Sequence, residues 1–172
     1  MINCLVTIGS HDQDFSRLIQ YCIDFSHASY EEFRFIYQYG FTDVSNLIFR
    51  EGDVFFDFAD RDCFSKLISS VDCVITHAGI GTINDSIDMG FFPIIVPRLV
   101  SKHEHTDPSQ LPVCEYFVSI GKAFGFTELP TFHEFEEKIQ LAVSLKKDPS
   151  IGSWRKIKNL IAQDISYFAG FK

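Results

Sequence analysis

Short apolar runs alternate along this chain with segments in which apolar residues recur at helical spacing. Apolar positions at 15, 18, 19, 22, 23 and 25, for example, predict a helix over residues 15–28. Similar patterns predict strands over residues 3–8, 34–38, 47–49, 54–58, 72–76, 93–96 and 123–126, and further helices over residues 62–70, 82–89, 111–120 and 132–145. Gly, Pro and Asp turn residues separate these elements.

Strands that alternate with helices predict an α/β fold, a Rossmann-like parallel sheet with helices on both faces. No repeat, low-complexity tract or linker interrupts the pattern, so we expect residues 1–172 to form a single domain. Residues 149–172 are predicted to be a C-terminal amphipathic helix, with an apolar stripe of Trp154, Ile157, Leu160, Ile161, Ile165 and Phe168. Either a partner or the chain's own sheet would cover that stripe.

Composition and charge narrow the choice of partners. Asp and Glu total 23 against 15 Lys and Arg, and the net charge of −8 disfavours a nucleic-acid partner. The five cysteines form no C-x-x-C pair, so a zinc or redox motif is not indicated. No apolar run is long enough to span a bilayer and no signal peptide is evident, so we expect a cytoplasmic location. The 19 Phe residues are more than the composition otherwise suggests, and we expect some of them in an interface.

Two glycine loops follow predicted strands. GSH at residues 9–11 comes after the first strand, and HAGIGT at residues 77–82 comes after the strand at 72–76 and opens a helix. Ligands of such sheets lie at the carboxyl ends of the strands, and N–H groups at a helix start favour an anion such as a diphosphate. A tight turn without a ligand is the alternative. The dinucleotide fingerprint G-x-G-x-x-G fails because Asn84 stands at its third position, which argues against NAD.

Three polar residues extend this pattern. Asp85 stands three residues after Thr82, where its carboxylate suits the hydroxyls of a ribose; a capping-box-like pair with Thr82 is the alternative. Asp107 and Gln110 follow the apolar PIIVP, and a carboxylate and an amide there suit sugar hydroxyls, although the segment is also a good helix start.

Together these segments resemble a known pattern. ITHAGIGTINDSIDMGFFPIIVP, followed by H-x-D-x-x-Q, resembles the donor-binding C-terminal half of MurG-like GT-B glycosyltransferases. The opening VTIGSHDQDFSRLI and the segment YQYGFTD are similar to a narrower group. Its members are the stand-alone PssE-type subunits of exopolysaccharide and capsule glycosyltransferases, related to the catalytic subunit of the eukaryotic N-acetylglucosamine transferase for lipid-linked glycans. The resemblance covers residues 2–120.

The resemblance implies a UDP-sugar site. The diphosphate would lie at the glycine loops, the ribose at the acidic residue of the helix, the hexose at the D-x-x-Q loop, and the uracil beside residues 60–63. The implied donor-binding residues are Gly9, Ser10, His77, Gly79, Gly81, Thr82, Asp85, Asp107 and Gln110. Three positions depart from the family: Ser10 replaces Thr, Asp85 replaces Glu, and Ser109 replaces His.

The implied function is that of a catalytic subunit in a two-chain inverting glycosyltransferase. It would transfer a hexose to a lipid-diphosphate-linked saccharide in exopolysaccharide or capsule synthesis. A membrane-associated PssD-like partner would bind the acceptor and hold this chain at the inner face of the cell membrane, and without it a homodimer could form through the same surface. The alternative is a non-catalytic nucleotide-binding or interaction subunit. A nucleotide-sugar epimerase or dehydrogenase is disfavoured by the missing fingerprint.

The histidines and acidic motifs raise two further questions. His11, in the first glycine loop, is a candidate catalytic residue that would contact the diphosphate or the acceptor, unless it serves only the structure of the loop. KHEHTD at 102–107 lacks a fourth distant metal ligand, and Asp60-Arg61-Asp62 is better explained as a solvated helix N-cap than as a D-x-D metal motif. We therefore expect no metal and no cofactor besides the donor.

Overall fold

The computed structural model describes residues 1–29 and 32–146, which contain a parallel sheet of six strands. The strands are β1 (Ile2–Thr7), β2 (Phe33–Gln38), β3 (Val54–Phe56), β4 (Cys73–Thr76), β5 (Ile94–Ile95) and β6 (Phe124–Gly125). The helices are α1 (Ser16–Ala28), α2 (Arg61–Ser69), α3 (Ile80–Asp88), α4 (Gln110–Ser119) and α5 (Phe132–Leu145), with a 3-10 turn at Val100–Lys102. The helix predicted for residues 149–172 lies outside the described residues.

The strand order creates a crevice at one edge of the sheet. The order is β3-β2-β1-β4-β5-β6, so the chain leaves β1 in one direction and returns to its other side as β4. Leu5 of β1 pairs with Ile36 on one side and Val74 on the other, and all five strand pairings are parallel. The carboxyl ends of the strands therefore share an edge, and the loops after β1 and β4 diverge there.

Alternation along the strands separates two apolar layers. Cys4, Val6 and Ile8 pack with α1 and α5 on one face, whereas Leu5 packs with α2 on the other. In β5, Ile94 belongs to the first layer and Ile95 packs with α3 and α4. Helices thus cover both faces of the sheet, as predicted. Such cover is typical of parallel sheets, whose strands are apolar on both sides.

Aromatic rings build much of the first layer. The ring of Phe25 in α1 lies 5.2–6.0 Å from the rings of Phe33, Phe35, Phe132 and Phe135, most of them edge-on. These contacts account for part of the Phe content, since aromatic pairs prefer such tilted arrangements. A second set of apolar side chains is exposed at or near the edge strand β3: Phe41, Ile48, Val54, Phe55 and Phe58.

One predicted element is wrong, and another begins two residues earlier than predicted. Residues 47–49 form no strand; Phe49 instead stacks its ring on Phe55, with 4.2 Å between centroids and 7° between planes, so this segment packs through side chains without joining the ladder. Helix α3 begins at Ile80 and not at Thr82. The strands β3, β5 and β6 are also shorter than predicted.

Candidate functional site

The loop after β1 is held by an amide side chain from β2. The carbonyl oxygen Oε1 of buried Gln38 accepts from the hydroxyl of Thr7 at 2.7 Å and from the N–H of Gly9 at 3.2 Å. Its Nε2 donates to the carbonyl of Gly9 at 3.0 Å and to that of Asp57 at 2.8 Å. One side chain therefore ties the first glycine loop to the ends of β2 and β3.

A buried cation holds the same loop from the other side. Arg98, three residues after the end of β5, is 1% exposed, and its guanidinium donates to the carbonyls of Ile8 (3.0 Å), Gln13 (2.6 Å) and Glu104 (3.2 Å). It lies 4.7 Å from the centroid of the Phe15 ring. Burial lowers the pKa of Arg98 to about 10, against the opposing effect of Glu104, so the group keeps its charge at neutral pH.

An ion pair joins α1 to the loop after β5. Arg17 donates from Nε to Oε1 of buried Glu104 at 2.6 Å and from Nη2 to Oε2 at 2.9 Å. The same carboxylate accepts from the N–H of Leu99 at 2.9 Å. This bidentate geometry fixes the direction in which the loop leaves the sheet.

His77 occupies the space between the two glycine loops. Its backbone N–H donates to the carbonyl of Thr7 at 3.3 Å, and the residue is 8% exposed. A Cβ on Gly9, where φ is +74°, would lie 2.6 Å from Cε1 of this ring, and a Cβ on Gly79 would collide with Nε2. Both positions therefore require glycine. Burial, followed by the charge of Arg98, lowers the pKa of His77 to about 4, so the ring is neutral at pH 7.

The two residues predicted to contact the hexose differ in burial and in hydrogen bonding. Gln110 is buried, and its Oε1 accepts from the N–H of Ala78 at 3.2 Å and of Arg98 at 3.0 Å. Its oxygen thus serves the loops after β4 and β5. Asp107 is exposed, and hydrogen bonds from the hydroxyl and N–H of Ser109 lower the pKa of its carboxyl.

The start of α3 is open to a ligand. Gly79 is the N-cap and has no side chain to cap the helix, so the N–H groups of Ile80, Gly81 and Thr82 have no acceptor among the described residues. Such a set of N–H groups, at the positive end of the helix dipole, attracts an anion. The exposed Ser10 lies in the facing loop beside Gly9.

The capping-box interpretation of Asp85 is wrong. Because α3 begins at Ile80, Asp85 is the sixth residue of the helix, too far along to cap its first turn. Its carboxylate is exposed and makes no hydrogen bond or ion pair within residues 1–29 and 32–146. The side chain is therefore available to a ligand seated at the start of α3.

Residues 60–63, expected beside the uracil, open α2. Asp60 is the N-cap, and its side chain accepts from the N–H of Cys63 at 2.8 Å, which confirms the N-cap interpretation of Asp60-Arg61-Asp62. In the described part of the chain, no group of three or more His, Cys, Asp or Glu side chains is arranged to hold a metal ion. The expectation that no metal is needed remains a prediction.

The structure thus brings the glycine loops, His11 and His77 to one edge of the sheet, with Asp107 in the loop after β5 and Gln110 at the start of α4. Three residues that hold the loops at this edge were not predicted to do so from the sequence: Gln38, Arg98 and Glu104. The available signal was weak. An arginine directly after the apolar run PIIVP can be buried at low cost only if backbone carbonyls accept hydrogen bonds from its guanidinium.

Comparison with protein families agrees with this geometry. The model of the glycosyltransferase family 28 C-terminal domain matches residues 3–123, which is well over half of the chain. This chain belongs to that family. A search of curated proteins finds no match.

Solved structures with the same fold are glycosyltransferases about twice this length or longer. The glycosyltransferase of kitacinnamycin superposes with a TM-score of 0.64 at 19% identity, covering 88% of this chain and 36% of its own. CalG4, the calicheamicin glycosyltransferase, gives 0.63 at 13%, covering 83% and 34%. MurG of Acinetobacter baumannii gives 0.59 at 17%, covering 84% and 44%. The chain therefore corresponds to about a third to less than half of each. None of the described helices is long and apolar enough to cross a membrane.

Proposed function

We propose that this chain is the UDP-sugar-binding, catalytic subunit of a two-chain inverting hexosyltransferase. The observation that carries the proposal is the open start of α3, where three N–H groups have no acceptor among the described residues and the His77 ring connects Gly79 to Gly9 of the first glycine loop. The donor diphosphate would lie there, and Asp85, farther along the same helix, would bind the ribose hydroxyls. The free carboxylate of Asp85 supports this assignment because nothing in the described chain competes for it.

The catalytic contribution of this half is electrostatic. Inverting transfer needs a base for the acceptor hydroxyl and stabilisation of the departing diphosphate. The N–H groups of α3 supply the second requirement, since they are fixed in place before charge develops on the leaving group. The base is expected on the acceptor half, apart from the candidate His11, which lies two residues after Gly9.

The acceptor half would be a membrane-associated PssD-like chain. The support for this finer assignment is the resemblance of VTIGSHDQDFSRLI and YQYGFTD to PssE-type subunits. The acceptor would be a lipid-diphosphate-linked saccharide of exopolysaccharide or capsule synthesis, reached at the inner face of the cell membrane through the partner. No nucleic acid is involved, and a homodimer would form only without the partner.

Co-expression with a PssD-like chain tests the proposal. Membranes containing both chains should transfer sugar from one member of a panel of UDP-glucose, UDP-galactose and UDP-N-acetylglucosamine to a lipid-linked acceptor, and neither chain alone should do so. Ser109 and the short Asp85 favour the alternative, a non-catalytic nucleotide-binding or interaction subunit. A complex that binds UDP but transfers none of the three sugars would favour that alternative.

A further inference from the structure

Two histidine rings from different loops meet beside the glycine loops. His11 follows β1 and His105 follows β5, yet their ring centroids lie 4.4 Å apart with the planes tilted by 40°. Both rings contribute to lowering the pKa of His77, whose ring lies between the glycine loops. The pair therefore belongs to the same crevice as the open start of α3.

Backbone groups contact Nδ1 of both rings. The N–H of Gln13 donates to Nδ1 of His11 at 3.4 Å, so a neutral His11 carries its proton on Nε2. Nδ1 of His105 lies 3.0 Å from the carbonyl oxygen of Asp107, which can only accept, so a neutral His105 carries its proton on Nδ1 and has a lone pair on Nε2. Neither Nε2 has a partner in the part of the chain that the structure describes, and the side chain of His11 is 33% exposed and that of His105 10%. The Nε2–H of His11 and the Nε2 lone pair of His105, which can take up a proton, are thus left for a ligand.

The surroundings allow the pair one extra proton. Nδ1 of His11 lies 3.2 Å from Oδ1 of Asp12, and Nδ1 of His105 lies 3.4 Å from Oδ2 of Asp107 and 3.0 Å from its carbonyl oxygen. Either imidazolium would therefore find an acceptor, whereas two stacked imidazolium rings would repel each other. The other titratable and charged groups of the loops after β1, β4 and β5 are Asp14, His77, Arg98, Lys102, His103 and Glu104.

We infer that His105, together with His11, binds the diphosphate of the donor, and that the pair takes up one proton as the donor binds. This inference rests on the proposed function. The start of α3 supplies neutral N–H groups, and the histidine pair would add a positive charge as the anion binds. A diphosphate beside the free Nε2 atoms would favour that charge, because an anion stabilises a nearby imidazolium.

Titration calorimetry of the full chain at pH 6, 7 and 8 tests this inference. UDP-glucose is the charged probe, because both of its phosphates are esterified and do not titrate in this range, and uridine is the uncharged control. We expect UDP-glucose to bind about fivefold more tightly at pH 6 than at pH 8, with uridine unaffected. The binding heat should also depend on the ionisation enthalpy of the buffer, as net proton uptake requires.

Variants test whether the histidine pair takes up the proton that accompanies UDP-glucose binding. His105→Asn and His11→Asn should each weaken UDP-glucose binding about fivefold at pH 6 and remove most of the pH dependence. His133→Asn, on the exposed surface of α5, is the matched control and should behave like the wild-type chain. Proton uptake that persists in both site variants would assign it to His77 and overturn the inference.

The outcomes also separate this inference from the proposed function. Wild-type binding of UDP-glucose without pH dependence or proton uptake, or a His105→Asn variant indistinguishable from His133→Asn, would overturn the inference alone. Failure of the wild-type chain to bind UDP-glucose at any of the three pH values would overturn the proposed function, and this inference with it.

Discussion

Polar residues beneath the crevice and polar groups on its open surface differ in how they are bonded. Beneath it, Gln38, Arg98 and Gln110 are buried, and each binds backbone atoms of at least two chain segments. We call these three the framework residues. On the surface, Asp85 and the N–H groups at the start of α3 have no partner among the described residues.

This difference separates two kinds of contribution. The framework residues place the loops, and removing one leaves buried carbonyl or N–H groups unpaired, so stability and site geometry should fail together. The surface groups hold nothing in place, so their loss should affect a ligand and leave folding unchanged. Variants in each region therefore test whether the crevice is a binding site or only a well-packed turn.

Replacing Arg98 should have the largest effect. Arg98→Met keeps the side-chain volume but leaves the carbonyls of Ile8, Gln13 and Glu104 without their buried donor. We expect a loss of about 3–5 kcal/mol in the free energy of unfolding, because each buried carbonyl left without a donor costs about 1–3 kcal/mol. Urea unfolding measures it. Arg61→Met, at the exposed start of α2, is the control and should change stability by less than about 0.5 kcal/mol; an equal loss in both variants would contradict the framework.

His77 lies between the two regions and makes stability depend on pH. Its folded-state pKa of about 4 is below the unfolded value of about 6.5, so the unfolded chain binds the extra proton between these values. Stability from this group is complete above about pH 6.5 and is lost as the pH falls towards 4, by about 3 kcal/mol in total. Urea unfolding at pH 7 and pH 5 should show the loss. This loss of stability between pH 7 and pH 5 should be smaller in His77→Gln and unchanged in His133→Gln. An unchanged loss in His77→Gln would contradict the burial of a neutral ring.

Two glycines distinguish loop geometry from ligand access. Gly9→Ala should cost about 1–3 kcal/mol, because φ is +74° and the new Cβ meets the His77 ring. Gly81→Ala meets nothing within 4 Å, and alanine in a helix should stabilise the chain by about 0.5–1 kcal/mol. The same methyl group would obstruct an anion at the start of α3, so UDP affinity should fall while stability rises. A gain in stability with unchanged UDP affinity would place the anion elsewhere.

Asp85 is the surface group with the clearest expected effect on affinity. Asp85→Ala should weaken UDP binding about tenfold, as loss of a hydrogen bond to a charged group predicts, with an unchanged urea midpoint. Asp85→Glu restores the residue usual in the family and should bind UDP at least as well as the wild-type chain. Calorimetry and unfolding on the same preparations separate the two quantities. A lower midpoint together with full affinity would return Asp85 to a purely structural function.

Most of the fold follows from local patterns. The period of 3.6 in α1 and α5 and the apolar runs of β1 and β4 predict those elements almost to their ends. The errors have physical causes. Residues 47–49 have the composition of a strand, but Phe49 packs its ring on Phe55 and the segment joins no ladder. The helix in HAGIGT starts two residues early because Gly79 is its N-cap, and Gly81 lies in its first turn.

The candidate site was only partly predictable. Glycine spacing indicates which loops are open, because that property is local. The contacts that place those loops are not local: Gln38 reaches Gly9 across 29 positions and Arg98 reaches Ile8 across 90. They depend on β2 and β5 lying close to β1 through the strand order, which a single sequence does not display. The meeting of His11 and His105 was hidden for the same reason.

The central claim is that the β1–β4 crevice binds a uridine diphosphate group. Titration calorimetry of the full chain with UDP, ADP and NAD measures it most directly. We predict that UDP binds at least about tenfold more tightly than ADP or NAD, and that Asp85→Ala reduces this preference. Equal affinity for the three nucleotides, or no measurable binding of UDP, would contradict the account.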